Sequence, residues 1–218
     1  MPRTALIEHR PWLLASLAAS ISYFFFRDNP VPGLYLIAWK GAAVALLAIY
    51  AAHRARDGDG WLLAGALALA ALGDMALEVN MLAGAALFAL GHLVAIVLFL
   101  RNPRPRRGAS QLLAAMALLV GTPLIAALIA LPDPRWPLAA GYAASVGAMA
   151  AAAWASRFPR YRVGIGAVLF VVSDLLIFAR EGGQVPERVS WWLVWPLYYG
   201  GQFLIATGVV AALHRGRA

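Results

Sequence analysis

The segment from Leu67 to Leu100 is almost wholly apolar, yet it contains three ionisable residues. They are Asp74, Glu78 and His92. An aspartate at the centre of a membrane-spanning helix costs roughly 2.5–3.5 kcal/mol on insertion scales. Because a chain that tolerates this cost usually uses the group, the segment predicts a membrane protein with a polar site among its helices.

The composition supports a membrane location for the whole chain. It has 62% hydrophobic and only 13% charged residues, with a mean hydropathy of +0.73, whereas soluble domains have about 45–50% apolar and about 25% charged residues. At about 20 residues per span, its 218 residues provide for seven or eight spans and exclude a separate soluble domain. We therefore predict an all-α, polytopic integral membrane bundle of about eight transmembrane helices, forming one transmembrane domain over residues 1–218.

The apolar runs give eight predicted spans, separated by loops rich in Pro, Gly and Asn. In chain order they are Pro11–Phe26, Gly33–Ala52, Trp61–Val79, Met81–Leu100, Ser110–Leu131, Trp136–Ser156, Tyr161–Ala179 and Ser190–Leu213. The first resembles a signal peptide, but an aromatic run continues it where a cleavage site would end it, so we interpret it as a span. The third and fourth are so close that we expect a tight helical hairpin.

A short internal repeat suggests that the spans form two halves. LGDMAL in the third span and VSDLLI in the seventh each place an aspartate about thirteen residues into the helix. Asp74 and Asp174 would then occupy matching positions in two four-helix halves, as in membrane folds built by duplication.

Arginine is distributed unequally between the two sides of the predicted membrane. Thirteen arginines fall on one side: Arg3, Arg10, Arg54, Arg56, Arg101, Arg104, Arg106, Arg107, Arg157, Arg160, Arg162, Arg215 and Arg217. Four fall on the other: Arg27, Arg135, Arg180 and Arg188. This bias predicts a multi-pass protein of the inner (plasma) membrane with both termini in the cytoplasm. We interpret the net charge of +8 and the basic loop 101–107 as determinants of orientation that touch anionic lipid, and predict no nucleic-acid binding.

Counted along the helices, the polar residues of five spans fall in one layer of the outer half of the membrane, roughly 8–18 Å below the surface. They are Lys40, Asp74, Glu78, His92, Ser173, Asp174, Tyr198, Tyr199 and Gln202. Asp74 and Asp174 are the strongest functional candidates, because an aspartate inside a span costs several kcal/mol and a chain that tolerates this cost usually uses the group.

Each candidate also has a purely structural interpretation. Lys40 could form a salt bridge with Asp74 or Asp174, and His92 could donate a hydrogen bond to a helix carbonyl. Glu78 is near enough to the membrane surface to be solvated, and the tyrosines could serve packing alone.

Several kinds of chemistry lack support in the sequence. The absence of cysteine excludes disulfides, thiolate metal sites and a cysteine nucleophile. Ser173 lacks the G-x-S-x-G context of a serine hydrolase, and no H-E-x-x-H motif or glycine-rich phosphate loop is present. A metal held by Asp74, Asp174 and His92 is geometrically conceivable, but no spacing requires it. We predict no cofactor and no metal.

Five motifs resemble, in order and spacing, the YhhN-like membrane family, which includes the lysoplasmalogenases. They are Lys40, GDMAL (Gly73–Leu77), LFALGHLVAI (Leu87–Ile96), GAVLFVVSDLLI (Gly166–Ile177) and YYGGQFLIATG (Tyr198–Gly208). The resemblance covers the chain from Lys40 to Gly208. It implies an eight-helix hydrolase that cleaves the vinyl ether of lysoplasmalogens to a fatty aldehyde and a glycerophospho-base.

The candidate residues suit that chemistry. Vinyl-ether hydrolysis needs an acid that protonates carbon and a base that activates water, and two carboxyls divide such roles in glycosidases. Our hypothesis gives these roles to Asp74 and Asp174, with neither assigned as the acid. The supporting catalytic residues would be Lys40 and His92, and substrate would contact Ser173, Tyr198, Tyr199, Gln202 and Glu78.

Two other classes of function remain open at this point. Buried Asp, Lys and His could relay protons in a transporter of small molecules or lipids. The protein could also bind lipid without turnover. The predicted partners are a lysophospholipid substrate and the bilayer, and the sequence leaves the oligomeric state undetermined.

Overall fold

The structure, a computed structural model, describes residues 10–106, 108–131 and 133–215. Arg3, Arg107 and Arg217, which contributed to the charge bias, lie outside these residues. The described chain forms eight helices and no strand. In order they are α1 (Arg10–Phe26), α2 (Gly33–Arg54), α3 (Gly58–Leu77), α4 (Met81–Leu100), α5 (Ala109–Ala130), α6 (Trp136–Ala155), α7 (Arg160–Glu181) and α8 (Glu187–Arg215).

Seven of these helices are long and apolar enough to cross a membrane, and α1 is a shorter apolar helix. Each begins and ends within a few residues of the span predicted from the sequence. The prediction of an all-α, multi-pass membrane protein with about eight spans is therefore confirmed.

Short polar side chains begin two of the helices. Asp57 precedes α3 and accepts a hydrogen bond from the Gly60 backbone N–H at 2.9 Å, and Asn80 does the same for Ala83 before α4 at 3.0 Å. Between α3 and α4 the turn is tight, because a Cβ on Gly84 would lie 2.6 Å from the Leu77 side chain. Glycine there permits the predicted hairpin.

The chain divides into two compact units, Met1–Val94 and Ala95–Ala218, with the division inside α4. The first unit contains α1, α2, α3 and most of α4. Its helix α2 packs against both α1 and α3. The single-domain organisation and the duplication of two halves stay predictions.

Small residues bring α2 close to its neighbours in the first unit. The Ser16 hydroxyl of α1 donates to the Ala43 carbonyl of α2 at 2.5 Å. On the opposite side, the absent Cβ of Gly41 leaves room for Met75 of α3. Lys40 and Asp74, the neighbours of these two residues in sequence, are thereby carried on closely packed helices.

In the second unit, α6 packs between α5 and α7, and α7 packs against α8. Helix α6 is rich in alanine, and its buried face includes Ala143, Val146 and Ala150. Small side chains on this face allow close approach of the neighbouring helices. Both α5 and α7 contain a π-helical turn, at Ala117–Gly121 and Arg160–Gly164.

Candidate active site

Helices α7 and α8 run antiparallel with a register that four contacts define. Gly166 meets Gly201, Phe170 meets Tyr198, Ser173 bonds to Val194, and Ser190 bonds to Leu176. The two glycines bring the backbones into contact, because a Cβ on Gly201 would lie 2.6 Å from the Gly166 carbonyl oxygen. One face of α7 therefore packs against α8 along this stretch.

Asp174 belongs to a different face of α7. The residue is 7% exposed, and its Oδ2 accepts a hydrogen bond from the Tyr142 hydroxyl of α6 at 2.9 Å. The Tyr142 ring also packs edge-on against Phe178, one helical turn beyond Asp174. Helix geometry turns successive side chains by about 100°, so α7 directs Ser173 towards α8 and Asp174 towards α6.

Ser173 is fully buried, and its hydroxyl donates to the Val194 backbone carbonyl at 3.0 Å. Ser190 makes the reciprocal bond from α8 to the Leu176 carbonyl of α7, at 3.3 Å. Ser173 thus connects two helices in this structure. Its predicted contact with substrate stays a prediction.

The predicted substrate-contacting residues of α8 lie in a buried aromatic group. Tyr198 packs edge-on against Phe170 with ring centroids 5.2 Å apart, and Trp195 contacts both Tyr198 and Tyr199. Gln202, one turn beyond Tyr198, is also buried. Helix α8 therefore supplies the faces of three aromatic rings and the side-chain amide of Gln202.

In the first unit, Lys40 pairs with Glu78. The Lys40 Nζ lies 2.6 Å from Glu78 Oε1, with side chains 15% and 37% exposed. The sequence suggested Asp74 or Asp174 as the partner of this lysine, and a solvated Glu78. The structure instead gives the ion pair to the carboxylate one helical turn beyond Asp74, which the flexible lysine stem reaches.

Asp74 is almost fully buried, at 2% exposure, on α3. Tyr23 of α1 is also buried and lies within electrostatic range of both Asp74 and Glu78. Two acids and a phenol, with Lys40 bonded to one of the acids, therefore occupy the same region of the first unit.

His92 of α4 is buried at 4% exposure. Its ring lies 6.4 Å from that of Phe88, one turn earlier. Phe88 in turn lies over Gly73, where a Cβ would come within 2.8 Å of the phenyl ring. The missing side chain at Gly73 therefore leaves room for Phe88 of α4 to pack against α3 next to Asp74 in the sequence.

The predicted site residues divide between the two units. Lys40, Asp74, Glu78 and His92 lie in the first, and Ser173, Asp174, Tyr198, Tyr199 and Gln202 lie in the second. Within the described residues, no three His, Asp or Glu side chains are grouped as metal ligands. The catalytic and substrate-binding roles of all nine residues stay predictions.

Two tyrosines near the acids were missed by sequence reasoning. Tyr142 is six residues from the start of α6, and Asp174 is seven from the end of α7, so a depth count applied to every tyrosine would have matched them. Tyr23 was hidden in the aromatic run that ends α1. For Tyr142, the available signal was a tyrosine within the alanine-rich sequence of α6.

Comparison with known proteins gives one family. The model of the YhhN family matches residues 35–209, which is most of the chain. No curated protein and no solved structure matches the chain. The matched range contains all nine predicted site residues together with Tyr142.

Proposed function

The chain belongs to the YhhN family, and from this premise we propose that it is a membrane hydrolase of lysoplasmalogen-type lysophospholipids. It would cleave the vinyl-ether bond to give a fatty aldehyde and a glycerophospho-base. It would act in the plasma membrane as a multi-pass protein with cytoplasmic termini. The substrate is thus a lipid that already resides in the bilayer.

The buried pair of Asp174 and Tyr142 carries this proposal. A carboxyl within a membrane-length helix is costly and is usually retained for function. Here Asp174 is 7% exposed, and its carboxyl accepts a 2.9 Å hydrogen bond from a phenol on another helix. A carboxyl held in one orientation by a second helix suits proton exchange at a defined atom.

The reaction consumes one water and needs one proton donor and one proton acceptor. A carboxylic acid protonates the alkene carbon that is not bonded to the ether oxygen, which leaves an oxocarbenium ion at the carbon that is. A carboxylate takes a proton from water as the water oxygen adds to the cationic carbon, giving a hemiacetal. The hemiacetal then breaks its bond to the glycerol oxygen, which receives the hydroxyl proton, and the aldehyde leaves. The two carboxyls regain their starting protonation states by exchanging one proton through water.

Asp174 is one of the two carboxyls in this scheme, and the sequence-based hypothesis supplies Asp74 as the other. A cationic intermediate is attracted by the π-face of an aromatic ring. Tyr198 and Tyr199, packed with Trp195, offer such faces in the second unit. Their packing supports a role in holding the alkenyl ether against α8.

Aldehyde release from lysoplasmalogen by purified protein tests the proposal. We expect activity in the wild type and a loss of at least about a hundredfold in Asp174→Asn and in Asp74→Asn, because general acid–base groups contribute about 10²–10⁴-fold. Asp133→Asn is the matched control, since Asp133 lies in the loop before α6 and bonds to Arg135. Full activity in either folded variant of a buried aspartate would refute the acid–base proposal.

A proton-coupled transporter is the second candidate, and the Lys40–Glu78 ion pair favours it. Such pairs in membrane helices mark ion and proton pathways. Transport predicts uptake into proteoliposomes that depends on a pH gradient, with no chemical product. Gradient-driven uptake of the lysolipid without aldehyde would replace the hydrolase proposal.

A further inference from the structure

The Lys40–Glu78 ion pair lies at one end of α3, a helix long and apolar enough to cross a membrane. Glu78 follows Leu77, the last residue of α3. Lys40 lies about two turns into α2, which begins at Gly33, and its Nζ reaches Glu78 Oε1 at 2.6 Å. Lysine lays its apolar stem along apolar surface and keeps its charge near the interface. The pair therefore occupies the level at which a lipid carries its phosphate and base.

Asp74 lies one helical turn deeper than Glu78 on the same side of α3. A separation of four residues places two side chains on one helix face, about 6 Å apart along the axis. Tyr23 of α1 lies within electrostatic range of both carboxyls, in agreement with a shared face. One turn of α3 therefore separates the proposed catalytic carboxyl from the ion pair.

The phosphate of a lysoplasmalogen is separated from its vinyl ether by the same distance. Five single bonds through the glycerol join the phosphorus to the ether oxygen, and they span about 6 Å when extended. A lipid whose phosphate is at Lys40 thus presents its vinyl ether at the level of Asp74. The lipid and α3 have the same order, with charged groups at the surface and the reacting group one step deeper.

The charges of the pair match a zwitterion better than an anion. An ammonium has three N–H donors and a carboxylate accepts at both oxygens, whereas the observed bond joins one atom of each. Each group can therefore take a second partner of opposite charge, and side chains 15% and 37% exposed can be approached from outside. Glu78 repels a headgroup that carries only negative charge, but it attracts the positive base of a phosphocholine or phosphoethanolamine.

We propose that the Lys40–Glu78 pair is the subsite that recognises the headgroup of the lysophospholipid. Lys40 binds the phosphate, and Glu78 attracts the ammonium of the base. The subsite rests on the proposed hydrolase function, because that function supplies the substrate whose vinyl ether it brings to Asp74. Lys40 thereby acts in binding, in place of the catalytic role predicted from the sequence.

Chemical labelling of Lys40 tests the proposal, because Lys40 is the only lysine in the chain. Reductive methylation of the purified protein in neutral detergent is followed at Lys40 by mass spectrometry, with the N-terminal amine as the internal reference. The probe is hexadecyl-glycerophosphocholine, whose saturated ether lacks the alkene that the reaction protonates. Its comparators are hexadecyl-glycerophosphate without the base, hexadecylglycerol without the headgroup, and glycerophosphocholine without the chain.

We expect saturating hexadecyl-glycerophosphocholine to slow the methylation of Lys40 about tenfold, which corresponds to the lower end for a hydrogen bond to a charged group. Hexadecylglycerol and glycerophosphocholine should give little protection at the same concentration, because each lacks one half of the ligand. Equal protection by either comparator would overturn the proposal. This comparison uses the wild type alone, so it does not depend on the folding of any variant.

Glu78→Gln separates headgroup recognition from a purely structural role. It should raise the Kd for hexadecyl-glycerophosphocholine about fivefold and lower that for hexadecyl-glycerophosphate by a similar factor, as expected for loss of one partly screened charge. Glu181→Gln is the matched control, because Glu181 forms an exposed ion pair with Arg180, and it should change each Kd less than about twofold. A shift of both lipids in the same direction in Glu78→Gln would contradict the subsite.

The saturated ether also separates the headgroup subsite from the proposed function. Aldehyde release from lysoplasmalogen, without protection of Lys40 by hexadecyl-glycerophosphocholine, would overturn the subsite alone. Protection of Lys40 by that lipid, with no aldehyde release from lysoplasmalogen, would support the subsite and refute only the hydrolase.

Discussion

The Tyr142 hydroxyl donates a 2.9 Å hydrogen bond to Oδ2 of Asp174, joining α6 to α7 across 32 residues of sequence. The bond joins the carboxyl to α6, on a different face of α7 from the one that packs against α8. Changing Tyr142 to phenylalanine removes this bond by removing one oxygen atom, and it leaves both the ring and Asp174 in place.

Tyr142→Phe should reduce the rate of aldehyde release about tenfold to a hundredfold. A hydrogen bond to a charged group contributes about 1.5–3 kcal/mol, and its loss frees the carboxyl to leave its orientation. The ring and its contact with Phe178 remain, so the variant should still fold, with a melting temperature lowered by a few degrees, and rates are compared well below that temperature. Tyr161→Phe is the control, because Tyr161 is 82% exposed on α7. A wild-type rate in Tyr142→Phe would show that the bond has no part in the reaction.

Lys40→Met and Glu78→Gln should each destabilise the protein. The sum of the two single losses of stability should exceed the loss in the double variant. Each single change leaves one charge without its ion-pair partner. Because Glu78 is 37% exposed, solvent screens the pair and we expect a coupling of only about 1 kcal/mol. A double-mutant cycle on unfolding in one detergent measures it. Strict additivity of the two changes would show that the pair contributes nothing to stability.

Gly201→Ala should cost about 1–3 kcal/mol of stability, in the range expected for overpacking. Its new Cβ would lie 2.6 Å from a backbone oxygen of Gly166, which no side-chain rotation can relieve. Gly200→Ala is the neighbouring control, since nothing lies within 4 Å of its Cβ position. It should be neutral or slightly stabilising. Comparable thermal melts for the two variants would contradict the close contact of α7 with α8.

Single cysteines should label according to the predicted orientation. The chain contains no cysteine, so Arg56→Cys and Arg188→Cys can each be introduced without background. A maleimide that cannot cross membranes should label Arg188→Cys on intact cells, and Arg56→Cys only after permeabilisation, because arginine-rich loops stay inside. The reverse pattern would invert the predicted topology.

The spans could be predicted because their length is a local property of the sequence. A helix must carry about 20 apolar residues to cross the bilayer, and this requirement is visible without any knowledge of neighbours. Loops with Pro, Gly and Asn then locate the ends to within a few residues. Burial of Asp74 and Asp174 followed from the same local pattern.

The contacts of the candidate residues could not be predicted in the same way. Which side chains meet depends on the rotation of each helix about its axis, and α6 has small residues on nearly every face. A depth count can match Tyr142 with Asp174, but it does not show that α6 turns the phenol towards α7. Lys40 illustrates a second limit, because Asp74 and Glu78 lie one turn apart on α3 and only the structure assigns the ion pair to Glu78.

The contacts between α7 and α8 have a mechanical consequence. Backbone contact at Gly166 and Gly201, and serine bonds at Ser173 and Ser190, fasten these two helices along most of their length. The two helices should therefore move together as one rigid body. On the other side of α7, Asp174 accepts a hydrogen bond from Tyr142 of α6. A change at the Gly166–Gly201 contact should therefore displace α7 and α8 together, and with them the Asp174 carboxyl that Tyr142 contacts from α6.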